Sequence, residues 1–415
     1  MISDTAPEQS LYVGLAHDAT SAIQPVGLLK TSRRGMLESG EFAYGRRYLQ
    51  APDAQPLNPA HLPLRDPAFV LAGRRLRDGG ALPLTLRDAL PDSWGRKVLE
   101  VKHGPLSDLQ ALLLTNEDRV GAMVFSQSLP LMQETPSTTL PSLEDLAAAS
   151  RRIEAGLEIT PAMQQLLRGG SLGGARPKAT FVHEGRRHIA KFASRGDTHD
   201  MEVVEAAMLG LARACGIEVP PFRLQPLAQG HALLVQRFDR IGTVGSEQRL
   251  HYLSSAAVLD VPYESSAGSY VELAQALRRL SSRPEQDLAE LFRRLVFNLA
   301  VGNSDDHVKN HGVLHLGGGQ WQLAPAFDLV AQLASQTGYQ ELAILPGDHA
   351  ASLGLARAAA PHFGLSAAQA ETVISGIQLA VRSDAGPAVR AIGGSPQLAQ
   401  QVEAFIRLQA GRIAA

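Results

Sequence analysis

Two hydrophobic patterns divide this 415-residue chain near residue 240. Before that point, short segments of branched and aromatic residues at 11–16, 25–31 and 41–49 alternate with turn residues and predict β-strands. After it, apolar residues recur at steps of three and four, most regularly over 288–299, and this repeat predicts a buried helix face. We therefore expect a mixed α/β first half followed by a helical second half.

Serine residues mark the predicted helix starts. Four of them stand three residues before an Asp, Glu or Gln, as in a capping box, and a fifth directly precedes a proline. A further helix is predicted over 201–214, after strand-like segments at 179–185 and 186–193 and before another at 232–240. The five serines are Ser142, Ser269, Ser282, Ser366 and Ser395.

Length and composition limit the class of protein. A chain of 415 residues is longer than one compact core usually accommodates, so two or three domains are expected. Hydrophobic residues make up 45% and charged residues 19%, a balance that excludes an intrinsically disordered chain. The 39 Lys and Arg stand against 41 Asp and Glu, which leaves no positive excess for binding nucleic acid by bulk electrostatics.

Cysteine use and apolar runs bear on the cellular location. The single cysteine, Cys215, cannot form an internal disulfide, and the first residues lack the pattern of a signal peptide. No apolar run approaches the roughly 20 residues that a membrane-spanning helix needs. We expect a cytoplasmic protein with no membrane partner.

The segment NLAVGNSDDHVKNHGVL, residues 298–314, carries the clearest chemical pattern. It begins where the apolar helix repeat ends, so its polar residues are expected on a loop beside a buried helix. Asp305 and Asn310 are spaced as in a kinase catalytic loop, where the Asp orients or accepts the substrate hydroxyl proton and the Asn binds magnesium. Asp328 follows as a second acid, and its carboxylate could bind the metal. Taken alone, the spacing also fits loop residues that cap helices.

Further elements precede this loop in the order found in kinases. A glycine cluster at 169–174 could bring backbone amides close to phosphates, although by itself it also fits a flexible connector. Lys191 has apolar neighbours in a predicted strand, where a buried cation needs a partner anion. Glu205, on the next helix, is the candidate partner, and Glu202 is its rival. The ordered set predicts a phosphoryl-transfer enzyme.

These segments resemble those of the HipA family of serine/threonine kinase toxins from bacterial toxin–antitoxin modules. SLGGARPKA at 171–179 resembles the family's phosphate loop, and GNSDDHVKNHGVL at 302–314 resembles its catalytic loop. AFDLV at 326–330 is similar to the metal-binding segment, and LVQRFDR at 234–240 is similar to the hinge that receives the adenine. The resemblance extends over essentially the whole chain.

Residue by residue, the resemblance implies a nucleotide site for ATP and Mg²⁺. Asp305 would be catalytic, and Asn310 and Asp328 would hold the metal. Lys191, with Glu205 as its ion-pair partner, would hold phosphates. The other nucleotide-binding residues would be Gly173, Gly174, Ala175, Arg176, Pro177, Lys178, Gln236, Arg237, Phe238, His307, Val308, Lys309 and Asn310.

The architecture implied by the resemblance is an α+β, bilobal, protein-kinase-like fold. Residues 1–130 would form a small β-rich subdomain, which EFAYGRRYL (41–49) and LPDSWGRKVLE (90–100) resemble more loosely. Residues 131–240 would complete a mixed α/β N-terminal lobe with the phosphate loop, the lysine strand and the hinge. Residues 241–415 would form an all-helical C-terminal lobe with the catalytic loop and the metal site.

The implied function is that of a kinase toxin. Family members phosphorylate aminoacyl-tRNA synthetases, best known for glutamyl-tRNA synthetase, and are restrained by a small helix-turn-helix antitoxin (HipB-like) that binds operator DNA. Ser171 matches the serine whose autophosphorylation silences members, because a dianion there repels the ATP phosphates. The stretch 348–360 has only Arg357 where some members carry a lysine-rich DNA-contacting segment. DNA contact is therefore expected only through the antitoxin.

Other interpretations stay open at this point. A non-catalytic nucleotide-binding regulator in a transcription-repressing complex would bind ATP without transferring phosphate. A small-molecule kinase would use the same catalytic-loop spacing on a metabolite. Asp306 and His307 could belong to a metal-dependent phosphohydrolase, but such a site needs several further His and Asp ligands.

Overall fold

The structure, a computed structural model, describes residues 5–17, 23–75, 80–115, 118–131, 141–160, 163, 174–263, 265–334 and 338–414. In these ranges the first half of the chain forms two antiparallel sheets with flanking helices, and the second half forms a helical lobe around a small sheet. No helix in the described ranges combines the length and the apolar character that crossing a membrane requires.

The first sheet lies at the N-terminal end of the chain. It consists of β1 (Thr5–Leu15), β2 (Gln24–Arg34), β3 (Leu37–Tyr44), β4 (Phe69–Arg75) and β5 (Met123–Ser126), in the order β4-β3-β2-β1-β5. Because alternate residues of a strand face opposite sides, Leu11, Val13 and Leu15 share one buried core. The flanking helices are α1 (Arg46–Leu49), α2 (Leu84–Arg87), α3 (Ser93–His103) and α4 (Asp108–Leu114).

The strand predicted over 41–49 is too long. β3 ends at Tyr44, and α1 occupies the remaining residues. This turn stacks the ring of Tyr48 on that of Tyr44, with centroids 6.0 Å apart, and lets the Tyr48 hydroxyl donate to the Gln55 carbonyl at 2.8 Å. Packing of the two aromatic rings therefore overrides the local strand preference.

The second sheet carries the lysine strand. It consists of β6 (Lys178–His183), β7 (Arg186–Phe192), β8 (Phe222–Pro226) and β9 (His231–Gln236), in the order β6-β7-β9-β8. Helix α5 (Leu143–Glu154) packs on one face and α6 (Met201–Ala214), with the bounds predicted from the sequence, on the other. Ala190 and Phe192 point to the α5 face, so strand alternation turns Lys191 towards α6.

The segment 232–240 is a strand that runs into a connector, as the sequence predicts, because β9 ends and the chain leaves the sheet at Gln236. The next residues bond to other parts of the chain: the Arg237 guanidinium donates to the carbonyls of Asp118 and Arg119 at 2.7 and 2.9 Å, and Asp239 accepts from the Gly121 amide at 2.8 Å. These bonds join the hinge to the N-terminal sheet region and stop the strand.

In its described residues, the second half combines helices with short strands. Its helices are α7 (Ser255–Leu259), α8 (Tyr270–Leu280), α9 (Pro284–Val301), α10 (Leu353–Ala359), α11 (Ala367–Ala391) and α12 (Pro396–Ile413). The expectation of an all-helical lobe is corrected by a three-stranded sheet of β12 (His251–Ser254), β13 (Gly312–His315) and β14 (Trp321–Leu323). A two-stranded ribbon, β10 (Arg240–Ile241) and β11 (Gln248–Arg249), precedes it. These strands are only two to four residues long, too short for a periodic signal.

Four of the five predicted helix starts are confirmed. Ser142, Ser269, Ser366 and Ser395 are N-caps whose side chains accept a hydrogen bond from the backbone amide three residues on. The prediction for Ser282 is wrong. The N-cap of α9 is Arg283, with a proline at the first helical position, and the Ser282 hydroxyl instead donates to the Trp321 carbonyl at 2.9 Å.

Candidate active site

A cleft between the second sheet and the helical lobe collects most of the predicted site residues. Its inner part is lined by apolar side chains from both lobes and from the N-terminal region. The Phe238 ring, beside the hinge, lies 5.5 Å from Phe327 and 6.0 Å from Tyr252, centroid to centroid. The apolar lining residues are Leu90, Val120, Ile189, Leu209, Val235, Phe238, Tyr252 and Phe327.

Lys191 lies at the centre of this cleft between two acids. Its ammonium group is 2.5 Å from Glu205 Oε1 on α6 and also contacts Asp328. Although burial acts to lower it, the two carboxylates hold the pKa of Lys191 above its usual value. Burial raises the pKa of Glu205, whereas Lys191 and Lys178 hold that of Asp328 down to about 2 against the effect of burial. The rival acid, Glu202, pairs instead with Arg176 at 3.1 Å.

The catalytic-loop residues follow α9 as expected. Gly302 ends that helix with a φ of 67°, and a Cβ atom there would lie 2.8 Å from the Phe405 ring, so only glycine fits. Asp305 then faces the open side of the cleft, and the Asn310 amide donates to the Asp305 carbonyl at 3.1 Å. Partial burial raises the pKa of Asp305, the charge of Asp328 adds to this effect, and His307 opposes it.

The neighbouring Asp306, considered from the sequence only as a possible phosphohydrolase ligand, anchors the catalytic loop to the helical lobe. Its side chain is 1% exposed and accepts hydrogen bonds from the hydroxyl of Tyr270, from His311 Nε2 at 3.0 Å and from Gln340 Nε2 at 3.1 Å. Burial acts to raise the pKa of Asp306, but His311 and the Tyr270 hydroxyl hold it below its usual value. The only sequence signal that could have separated the buried Asp306 from the exposed Asp305 is the apolar helix repeat that precedes both.

The glycine-rich segment is described from Gly174 onward; Ser171 and Gly173 lie outside the described residues. Gly174 has a φ of 95°, and a Cβ atom there would collide with the ammonium group of Lys178. Lys178 lines the cleft, and Arg176 pairs with Asp197 at 2.6 Å as well as with Glu202. Ala175 lines the outer part of the cleft. The carbonyl of Pro177 accepts a hydrogen bond from the backbone amide of Phe192 at 2.9 Å.

The hinge residues line the cleft in different ways. Gln236 and Phe238 border it, as does Arg237, but the guanidinium of Arg237 is turned away and pairs with Asp239 at 2.8 Å. From the catalytic loop, His307 and Lys309 line the cleft, whereas Val308 is buried among the apolar side chains of the helical lobe. Lys309 contacts Asp92, a residue of the N-terminal region that the sequence did not single out.

Two oxygen donors of the cleft suit a magnesium ion. The Asn310 amide nitrogen is occupied by the Asp305 carbonyl, which leaves the side-chain oxygen as the ligand atom, and Asp328 supplies a carboxylate from the facing loop. Magnesium takes one or two protein ligands of this kind and completes its shell with water and phosphate. In the described residues, no group of three or more His, Cys, Asp or Glu side chains could hold a metal, and Asp306 is engaged below the loop. The His–Asp phosphohydrolase interpretation therefore gains no support.

Comparison with known proteins identifies the relatives of this chain. A model of the HipA-like C-terminal domain matches residues 170–385, and a model of the HipA N-terminal domain matches residues 18–126. The chain belongs to the HipA family. The resemblance seen in the sequence is thereby confirmed, and the family relationship links the chain to kinases.

Individual relatives are distant. The Sinorhizobium fredii candidate kinase Y4mE is 29% identical over 320 residues, which are 71% of this chain and 72% of Y4mE. The serine/threonine-protein kinase toxin HipA of Shewanella oneidensis is 24% identical over 56% of this chain and 58% of its own. HipA in the Shewanella oneidensis complex of HipA, HipB and operator DNA superposes with a TM-score of 0.70 at 19% identity, covering 97% of this chain and 96% of that one. This superposition confirms the HipA-like fold.

Proposed function

We propose that this HipA-family member is an ATP- and Mg²⁺-dependent protein kinase that phosphorylates serine or threonine hydroxyl groups. One observation carries the proposal: Lys191, Asp305, Asn310 and Asp328, drawn from three separate segments, line a single opening of the cleft. Phosphoryl transfer needs a cation for the phosphates, oxygen ligands for the metal and a carboxylate for the acceptor hydroxyl, and these four side chains supply them.

Each side chain has a distinct part in the proposed reaction. Asp305, exposed at the mouth of the cleft with a raised pKa, orients the acceptor hydroxyl and takes its proton. Lys191, fixed by Glu205, holds phosphate oxygens. Asn310 and Asp328 would hold a magnesium ion, which would supply positive charge beside the phosphates. The apolar inner cleft beside Phe238 suits a purine ring.

The toxin role rests on the family relationship. We propose that the chain is restrained by a small helix-turn-helix partner like the HipB found with HipA in the Shewanella oneidensis complex. Its protein substrate would be an aminoacyl-tRNA synthetase, with glutamyl-tRNA synthetase as the first candidate. DNA contact would be indirect, because Arg357, the basic residue of 348–360, is paired with Glu371 at 2.8 Å.

Mapping of phosphorylation sites in cells tests the proposal. Cells expressing the wild type should gain phosphoserine or phosphothreonine on a synthetase, and growth should stop until the antitoxin is co-expressed. Cells expressing Asp305→Ala should show neither change. A phosphorylated metabolite without labelled protein would favour a small-molecule kinase, and ATP binding without any transfer would favour a non-catalytic regulator.

Autophosphorylation on Ser171 is a separate part of the proposal. The same mass spectra should show phosphate on Ser171 in the wild type and none in Asp305→Ala. A Ser171→Ala variant should remain active for longer during incubation with ATP, because no dianion forms beside the phosphate site. Equal time courses for Ser171→Ala and wild type would contradict this part alone.

A further inference from the structure

The start of α3, in the N-terminal region, contacts both ends of the described glycine-rich segment, residues 174–178. Asp92, the N-cap residue of α3, accepts a hydrogen bond from the Gly174 amide. The Trp94 amide donates to the Gly174 carbonyl at 3.3 Å, and its indole Nε1 donates to the Lys178 carbonyl at 2.8 Å. Trp94 is only 3% exposed, so these bonds lie inside the protein.

The same segment also reaches the catalytic loop. The second carboxylate oxygen of Asp92 contacts the ammonium group of Lys309. That ammonium group lies 4.3 Å from the ring centroid of Tyr263, whose hydroxyl donates to Asp88 at 2.6 Å. One short stretch of the N-terminal region is therefore bonded to both loops that border the outer cleft.

We propose that the start of α3 sets the position of the glycine-rich segment over the catalytic loop, which makes Asp92 and Trp94 positioning residues for nucleotide binding. The inference rests on the proposed function, because it concerns the binding of ATP in this cleft. It assigns part of the kinase site to the N-terminal region, although the lysine, the metal ligands and the catalytic acid all come from residues after 190.

The opposite role for Asp92 would be to weaken nucleotide binding, by occupying the Gly174 amide and the Lys309 ammonium group, which could otherwise bind phosphate. The Trp94 bonds argue against this. They end on two backbone carbonyls, which repel phosphate oxygens and so do not compete for the ligand. The glycine-rich segment therefore stays attached to α3 when nucleotide enters. Without this attachment the segment has more conformational freedom, which nucleotide binding must remove, so the affinity falls.

Trp94→Phe tests the proposal by removing the bond to the Lys178 carbonyl while keeping an aromatic ring in the apolar cluster. Because the smaller ring also leaves space in the core, thermal stability is measured beside affinity. Tyr48→Phe is the control in the same region, because it removes the two hydrogen bonds between the Tyr48 hydroxyl and the backbone of Gln55, away from the cleft. Titration of the full chain with a fluorescent ATP analogue and Mg²⁺ should show Trp94→Phe binding about 2- to 10-fold more weakly than wild type, with Tyr48→Phe unchanged.

The outcomes distinguish failure of the positioning role from failure of the proposed kinase function. Equal affinity for Trp94→Phe and Tyr48→Phe, with similar losses of thermal stability, overturns the positioning role alone. A wild type that binds no nucleotide overturns the proposed function as well. Asp92→Ala should raise the KM for ATP more than Trp94→Phe does, because it breaks contacts with both loops, and Asp92→Asn should restore part of the loss. A lower KM in Asp92→Ala would show that Asp92 competes with phosphate.

Discussion

Asp306→Asn removes the charge that holds the catalytic loop against the helical lobe. In the wild type, the buried carboxylate accepts from Tyr270, His311 and Gln340. Asparagine keeps one oxygen but turns an NH₂ group towards at least one of these donors, which leaves buried hydrogen-bonding groups unsatisfied at about 1–3 kcal/mol each. Loss of the charge-assisted bonds adds to this, so we expect the free energy of unfolding to fall by about 2–4 kcal/mol.

Calorimetry and urea unfolding measure this loss, and Asp305→Asn is the matched control. A cooperative unit the size of the C-terminal lobe, residues 241–415, shifts by roughly 2–4 °C per kcal/mol, so Asp306→Asn should lower the Tm of that lobe by between about 4 and 16 °C. Asp305→Asn changes an exposed side chain and should leave the Tm within about 2 °C of wild type while abolishing phosphoryl transfer. Equal Tm values for the two variants would refute the assignment of Asp306 as the buried anchor and Asp305 as the chemical group.

Acid sensitivity follows from the same geometry. Because the pKa of Asp306 is lowered by folding, its contribution to stability is fully present above about pH 4 and is lost as the pH falls through the lower folded value. Wild type should therefore lose stability faster than Asp306→Asn when the pH is lowered below 4. Parallel stability curves for the two proteins would contradict this linkage.

Three further perturbations test separate parts of the structure. Lys191→Met should lower the free energy of unfolding by about 3–5 kcal/mol in urea, because Glu205 and Asp328 lose their cation, and adding Glu205→Gln should restore part of it. Wild type should lose stability between about pH 4.5 and 7, because burial raises the pKa of Glu202 to about 7 and its ionised form is disfavoured. Glu202→Gln should not show this loss. Gly302→Ala should cost about 1–3 kcal/mol in the same assay, since the new methyl group meets a phenylalanine ring of α12 in a left-handed backbone conformation.

Contrary results are equally specific. An unchanged urea midpoint in Lys191→Met would mean that the two acids do not depend on the lysine. A pH profile of Glu202→Gln that parallels wild type between pH 4.5 and 7 would place the titrating group elsewhere. A Gly302→Ala variant as stable as wild type would show that the turn after α9 has room for a side chain.

Local patterns explain what could be predicted from the sequence. Strand alternation and helix periodicity are properties of neighbouring residues, so they predicted that helix 201–214 follows the lysine strand, and the structure shows Lys191 facing Glu205 across these two elements. The turn after the apolar stripe of α9 likewise predicted a loop for Asp305 and Asn310. Short strands such as β13 and the start of α9 at Pro284 depended on contacts that no local pattern contains.

Long-range contacts explain what the sequence left out. Asp92 and Lys309 are 217 residues apart, and Asp239 and Gly121 are 118 apart, yet Asp92, Lys309 and Asp239 all border the cleft. Neither pairing follows from periodicity or capping, because each depends on how the N-terminal region packs against the two lobes. The assignment of Arg237 shows the same limit: the residue borders the cleft, but its guanidinium bonds to the Asp118 carbonyl in the N-terminal region.

Transfer of label from [γ-³²P]ATP in the presence of Mg²⁺ tests the central claim most directly. Purified wild type should incorporate label into its own chain or an added synthetase. Asp305→Asn should bind the fluorescent ATP analogue as wild type does and incorporate no label. Label in both proteins at the same rate would contradict the claim that the carboxylate of Asp305, facing Lys191 and Asp328 across one cleft, performs the chemistry.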